Sequence, residues 1–290
     1  MFKSPKWKNF LLAALLFLGV WIIYSPTLKA PFVWDDEEMV LGNPMIRSFA
    51  NISNIFQSGP FVDALENATF YRPIQTLSYA FDYHFWKLEP AGYHLTSISI
   101  HAISAVLVFY ILMTLGFSPT LALIAAAWWG IHPLNIESIT YISGRGDALF
   151  MLFGLAATLF WIKGFRKNWL LLPAILCWII AILAKENALP IPLILSWYLW
   201  INRDEFSSKE RKINWTIAGV LTIGYTLIRL RMLQGQAGAL SWIAQASFWD
   251  RLLTLPYIVY TYIKLWFIPH PLHMEYHYVA DSIFDPYIWL

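Results

Sequence analysis

One cysteine in 290 residues excludes an intrachain disulfide framework. That cysteine, Cys177, stands among Leu176, Trp178 and Ile179 in an apolar run, so it reads as a packed or lipid-facing thiol and says nothing of the redox compartment. Charge is equally scarce: Asp, Glu, Lys and Arg make up 13% of the chain, about half of what a soluble domain carries. With a net charge of +2 and no long basic block, no nucleic-acid partner is expected. A glycine-rich phosphate loop, a Gly-x-Ser-x-Gly elbow and a nucleophilic cysteine beside a base are all missing, which removes support for nucleotide hydrolysis and acyl-enzyme chemistry. Neither a repeat nor a low-complexity tract is visible.

What the chain does have is apolar and aromatic mass, 58% hydrophobic residues with 16 Trp, in runs that read as membrane helices. Lys3, Lys6 and Lys8 precede the run from Phe10 to Tyr24, which reads as an uncleaved anchor with a cytoplasmic N-terminus: no small-x-small cleavage site follows, and Ser25-Pro26 ends the helix. Residues 31–90 are polar yet rich in Phe, Tyr and Trp, which predicts a first extracytoplasmic loop with short interfacial amphipathic helices. Asn51 and Asn67 lie in weak glycosylation sequons there.

Further runs follow at His94–Leu115, Thr120–Ile131, Asp147–Ile162, Trp169–Ala184, Leu189–Ile201, Trp215–Leu230 and Leu252–Ile268. Lys163, Arg166 and Lys167 share one connection, and Arg203, Lys209, Arg211 and Lys212 another. An alternating count puts both inside, and it leaves Asp35–Pro90, His132–Asp147, Lys185–Asn187 and Met232–Asp250 outside. The side taken by the His-rich tail after Arg251 is not assigned, and the apolar ending at Trp289-Leu290 reads as a boundary inside a longer protein. The expected fold is thus an all-α polytopic membrane protein, one domain over 1–290, with about eight transmembrane helices.

Four consecutive acids, Asp35 to Glu38, follow Trp34 just beyond the first apolar segment. They serve either as a helix cap at Asp35-Asp36 or as the acidic part of a site. The second reading gains from what else the count places at the same rim: Arg72, His132, Glu137, Arg145, Asp147, Lys185 and Glu186, with Arg229 and Arg231 near the end of another span. Arg72, Arg145, Lys185, Arg229 and Arg231 are expected to meet an anion, and His132, Glu137, Asp147 and Glu186 to support them. Each has a plainer use. Arg145 between two glycines either approaches a phosphate or neutralises Asp147 or Glu137; Lys185 either pairs or snorkels; His132-Pro133 is a helix stop; His94 and His101 are core histidines. His270, His273 and His277 are flanked by prolines and do not make a metal site, so no metal is expected.

Taken together and in order, Phe32-Val33-Trp34-Asp35-Asp36, Tyr71-Arg72-Pro73, Tyr93-His94-Leu95 with His101-Ala102, His132-Pro133 with Glu137-Ser138, Gly144-Arg145 and Lys185-Glu186 resemble the membrane part of the transmembrane and tetratricopeptide-repeat-containing O-mannosyltransferase family. The resemblance spans residues 30–200 and implies a GT-C fold, a polyprenyl-phosphate-linked sugar as donor, a bacterial inner or endoplasmic reticulum membrane, and a periplasmic or lumenal site whose catalytic acids map to Asp35 and Asp36. It departs from the family at Asn135, where animal members often carry a second histidine, and it contains no tetratricopeptide repeats, which leaves a protein or glycan acceptor open.

Inverting transfer from such a donor needs one base, for which Asp35 is the candidate with Asp36 holding the acceptor or a cation, and preorganised cations for the leaving phosphate. No cofactor is then required, and a divalent cation is optional. The competing class is a non-catalytic membrane scaffold that retains the fold. A transporter is disfavoured, because its charges would lie near the bilayer midplane rather than at one rim.

Overall fold

The computed structural model describes residues 5–57, 71–164, 168–202, 204, 207–232, 246–273 and 278–280. Asn67, Arg166, Lys167, Arg203 and His277 lie outside the described residues, and so do the side chains of Arg211, Arg229 and Arg231. All regular structure among the described residues is helical. The chain is an all-α membrane protein, since Lys6–Lys29, Pro90–Thr114 and Ile142–Gly164 are each long and apolar enough to cross a bilayer.

In order, the α-helices are α1 (Lys6–Tyr24), α2 (Ile52–Gln57), α3 (Pro73–Trp86), α4 (Pro90–Thr114), α5 (Pro119–Ile131), α6 (Ile136–Thr140), α7 (Arg145–Gly164), α8 (Leu171–Ala184), α9 (Ile191–Ile201), α10 (Ser208–Met232) and α11 (Phe248–Phe267). Proline opens α3, α4 and α5, at the one helical position where its missing N–H costs nothing. Helix α4 therefore starts four residues before the expected span, and Tyr93 is inside it rather than ahead of it. The α4–α5 hairpin is set by Gly116, at φ 96°, where the Phe117 N–H reaches back to the Leu112 carbonyl, and by Ser118, which caps α5. Helix α10 begins well before the predicted Trp215, because the basic stretch around Lys209 and Lys212 is helical rather than a loop.

Small side chains let the helices approach closely. Ala13, Leu16 and Val20 of α1 pack on Ala102 and Ala105 of α4 and on Ala122 and Ala126 of α5. Gly130 sits where the three meet, and a Cβ there would stand 2.9 Å from Val20 and 3.1 Å from Ala105. Helices α7 and α8 form a second core through Ala157, Trp178, Ala181 and Ile182. As expected, short helices occur in the 31–90 segment, yet α3 does more than lie on a surface: Gln75, Thr76, Tyr79 and Asp82 are buried. The bundle thus gathers the start of α4 and α7 and the end of α5 and α8 around α3 and α6, and that end carries the site.

Candidate functional site

The acidic stretch is a tight turn before it is anything else. The Asp36 N–H donates to the Val33 carbonyl at 3.1 Å, and the Val33 N–H donates back to Asp36 Oδ2 at 3.0 Å. Between them Trp34 is held at φ 51°, a left-handed conformation that costs an aromatic residue about 1–2 kcal/mol. What offsets the strain is Asp36 itself. Fully buried, it accepts from the Ser143 amide at 2.8 Å and the Ser143 hydroxyl at 2.5 Å, both on Oδ1. The expectation that Asp35-Asp36 cap a helix fails here: Glu37–Leu41 forms a π turn without a side-chain cap, because the Asp36 carboxylate reaches across the chain instead.

Anchoring Asp36 leaves Asp35 exposed on the outside of the turn. Its N–H donates to the Tyr141 hydroxyl at 3.3 Å, and the Trp34 and Tyr141 rings meet edge to face. The Tyr141 phenol is pushed well above its ordinary value, first by burial and then by its hydrogen bond to the Asp35 side chain and that residue's charge. Tyr141 therefore stays protonated, a fixed donor beside the outward-facing Asp35.

Behind Ser143 lies a buried polar network. Gln75 Nε2 donates to the Ser143 carbonyl at 2.7 Å and to Tyr79, whose hydroxyl donates to the Ile142 carbonyl at 2.8 Å. Arg145 is fully buried: Nη1 pairs with Asp82 at 2.5 Å, Nε donates to Ser97, and Nη2 donates to the Tyr93 carbonyl. Its guanidinium also lies 4.9 Å from the centre of the Tyr79 ring. Burial raises the Asp82 carboxyl despite Arg145 and the Thr96 hydroxyl. Arg145 is thus neither the phosphate-facing residue nor the partner of Asp147 or Glu137; burial has turned it inward. The glycines beside it serve packing. A Cβ at Gly146 would stand 2.6 Å from Gln75 Oε1, and one at Gly144 would stand 2.8 Å from the Glu137 carbonyl.

Removing one donor tests the clamp. Ser143→Ala leaves Asp36 its two backbone donors, and a loss of about 1–2 kcal/mol is expected, read as a lower midpoint of thermal unfolding in detergent.

Two more of the expected cations, Arg72 and Lys185, are paired as well. Arg72, with φ −135° and ψ 60° before Pro73, forms a fork with Glu186 at 3.2 and 3.0 Å. Lys185 reaches Asp147 at 2.5 Å. Lys185 and Glu186 do find different partners, as expected from their adjacency, because the chain leaves α8 in extended conformation at Lys185. His132 ends α5 as a stop, accepting from the Leu134 amide on Nδ1 and donating from Nε2 to the Trp266 carbonyl at 3.0 Å, so it fastens α11 to the bundle. Asn135 bonds the Trp129 carbonyl at 2.6 Å, which gives the departure from the histidine a local purpose. His94 and His101 are buried core residues. Among the described residues no group of three or more His, Cys, Asp or Glu is arranged to hold a metal ion.

Two cavities have Glu137 in their walls. A groove of about 620 Å³ runs between the His132–Ile136 turn and α11, walled by Pro133, Ile136, Tyr257, Tyr262 and Leu265. A smaller cavity of about 240 Å³ is walled by Trp129, Asn135, Ser138 and Asp147. Glu137 and Leu134 line both. Burial, then the Asp147 charge, raises the Glu137 carboxyl, while Lys185 pulls the other way. Glu137 stands in the first turn of α6 and Tyr141 follows its end, four residues on and so near the same face, which ties the cavities to the Asp35 turn through one helical turn. Asp35 itself lines neither cavity.

Sequence reasoning missed Gln75, Asp82, Tyr141 and Ser143. Ser143 and Tyr141 lay next to the Gly144-Arg145 motif and were visible as neighbours; Asp82 on an aromatic amphipathic helix gave no signal, because its partner is 63 residues away in the chain.

No family model matches the chain, and no solved structure does. Among curated proteins it is 27% identical over 269 residues to protein O-mannosyl-transferase Tmtc1 of Drosophila melanogaster, covering 82% of this chain and 31% of that one. It is 27% identical over 278 residues to Tmtc2 of the same organism, with 88% and 29% covered, and 30% identical over 145 residues to tmtc2 of Xenopus laevis, with 49% and 17% covered. The chain spans less than a third of the length of these relatives. The resemblance first read from six short motifs therefore holds along most of the sequence, and the curated homologues of this chain are TMTC-family protein O-mannosyl-transferases.

Proposed function

We propose that this chain is a GT-C-type membrane glycosyltransferase domain that moves a hexose such as mannose from a polyprenyl-phosphate carrier to a hydroxyl of a protein acceptor, with inversion and on the extracytoplasmic face. The observation that carries the reading is the Asp35 turn: a buried acid, Asp36, holds a strained loop so that its neighbour faces outward beside a Tyr141 hydroxyl that keeps its proton. Asp35 takes the proton of the acceptor hydroxyl as the new glycosidic bond forms, and the phosphate leaves with the electron pair of the old one. Arg72 and Lys185 meet that charge, with Arg229 and Arg231 of α10 as further candidates. Arg145 and Asp36 take positioning roles, because both are fully buried. Basic residues at the far end, Lys163 in the last turn of α7 and Lys209 and Lys212 at the start of α10, support a cytoplasmic side opposite the site, in an endoplasmic reticulum or bacterial inner membrane. Eight apolar helices, α1, α4, α5 and α7 to α11, then make up the bundle as a single domain. The chemistry requires no cofactor.

The test is transfer to a hydroxyl acceptor from a panel of radiolabelled polyprenyl-phosphate sugars by the purified chain in washed membranes. Label in product from one donor supports the reading, and none from any donor overturns it. One observation favours a scaffold instead: Arg72, Lys185 and Arg145 are each paired with a carboxylate. A scaffold would bind its partner equally well with Asp35 replaced and transfer nothing.

A further inference from the structure

Counting charges around Glu137 exposes a difficulty for any anionic ligand. Arg72 meets Glu186, Lys185 meets Asp147 and Arg145 meets Asp82, one cation to one carboxylate in each case. Among the described residues, carboxyls outside these pairs include those of Asp35, Asp36, Glu37, Glu38 and Glu137, while the side chains of Arg229 and Arg231 lie outside the described residues. With Glu137 ionised, a phosphodiester beside it would meet a negative charge whose charged neighbours are Asp147 and a Lys185 already paired with Asp147. Asp36 is turned away from any ligand, its oxygens accepting from Val33 and Ser143 in a buried clamp. Asp35 faces outward and lines neither cavity. Glu137 lines both cavities, so a ligand in either one stands beside it.

We propose that an anionic oxygen enters the space beside Glu137 together with a proton, and that Glu137 carries the proton, meeting the anion as a neutral carboxylic acid. The inference rests on the phosphate-linked donor proposed above and deepens it. A neutral carboxyl removes one repulsive charge and supplies an O–H donor where a carboxylate supplies only acceptors. Burial and the neighbouring Asp147 favour this form, with Lys185 opposing it. The groups that face Glu137 are Asp147 from α7 and Lys185 beyond α8, His101 of α4 across the small cavity, and Tyr257, Tyr262, His273 and Tyr278 across the groove. A histidine losing its proton would also weaken anion binding as pH rises, so the decisive comparison is within Glu137: glutamine keeps a neutral donor of the same shape and has no proton to lose.

The experiment measures binding of methyl farnesyl phosphate, a diester of fixed single charge, to the full 290-residue chain in detergent from roughly pH 5 to 9, with methyl farnesyl ether as the uncharged control. For the unaltered protein the affinity for the diester is expected to fall by up to about tenfold per pH unit above the Glu137 pKa, and affinity for the ether to stay flat. Glu137→Gln is expected to flatten the diester profile and to bind more tightly than the unaltered protein at the alkaline end. Glu137→Ala is expected to lose the acid-side affinity along with the slope. An unchanged slope in Glu137→Gln, no slope in the unaltered protein, or a uniform loss in Glu137→Gln with normal thermal unfolding each overturns the inference alone. Diester binding no stronger than ether binding at any pH overturns the donor reading as well, which keeps the two failures apart.

Discussion

Asparagine in place of Asp35 is expected to lower sugar transfer by about 10²- to 10⁴-fold while leaving the midpoint of thermal unfolding unchanged. The split follows from where the two acids sit. Asp35 is exposed; the bond from its backbone N–H to Tyr141 is kept by the substitution, and an asparagine Oδ1 still accepts from the Tyr141 hydroxyl. An amide in place of the outward carboxylate removes the base and little else. Asp36→Asn makes the opposite case: an amide that keeps Oδ1 toward Ser143 turns its NH₂ toward the Val33 N–H, donor against donor in a buried site. That variant is expected to lose about 1–3 kcal/mol of stability and to lose activity only as its fold loosens. Rates in washed membranes, read beside unfolding curves in detergent, check both. If Asp35→Asn transfers sugar as well as the unaltered chain does, the base lies elsewhere.

Much of this was open to a reader of the sequence, and the reason is the solvent. A chain with so little charge has few places to put it, so the residues that turned up together, Asp35, Asp36, Arg72, Glu137, Arg145, Asp147, Lys185 and Glu186, were the ones an alternating count of spans had already assigned to one rim. Helix starts were less plain: α5 opens at Pro119, one residue before the expected Thr120, but α4 opens at Pro90, four residues before the expected His94, and no start was read at Pro73. Pairing was another matter. Adjacency on the sequence suggested Asp147 or Glu137 for Arg145, whereas the partner is Asp82, brought in by α3 folding its aromatic face onto the start of α4. Which cation meets which carboxylate depends on how helices rotate and pack, and no spacing rule encodes that. The same holds for Asp36. A cap and an anchor look identical in sequence, since both need a short carboxylate near free amides, and only the approach of Ser143 across the fold decides between them.

The Arg145–Asp82 pair carries the largest expected effect on stability. Both side chains are fully buried, so each is out of water and depends on the other and on its hydrogen bonds for the free energy lost with solvation. Burial outweighs Arg145 in setting the Asp82 carboxyl, which therefore holds its proton above the usual carboxylate range. Because that folded value lies above the unfolded one, the contribution of Asp82 to stability is full below the unfolded pKa and declines as pH rises through the folded one. Asp82→Ala strands a guanidinium that still has Ser78, Ser97 and the Tyr93 carbonyl but has lost its counter-charge, and a loss of about 3–5 kcal/mol is expected. Arg145→Met leaves a buried carboxyl that is free to protonate, so its cost is expected to be smaller at acid pH and to grow toward neutrality. The double variant removes both burdens, and its loss is expected to fall short of the two single losses added together. Unfolding of all four proteins in detergent at two pH values measures the coupling directly. Additive losses would mean that the ion pair contributes nothing beyond packing, and the network behind Ser143 would then need another source for its rigidity.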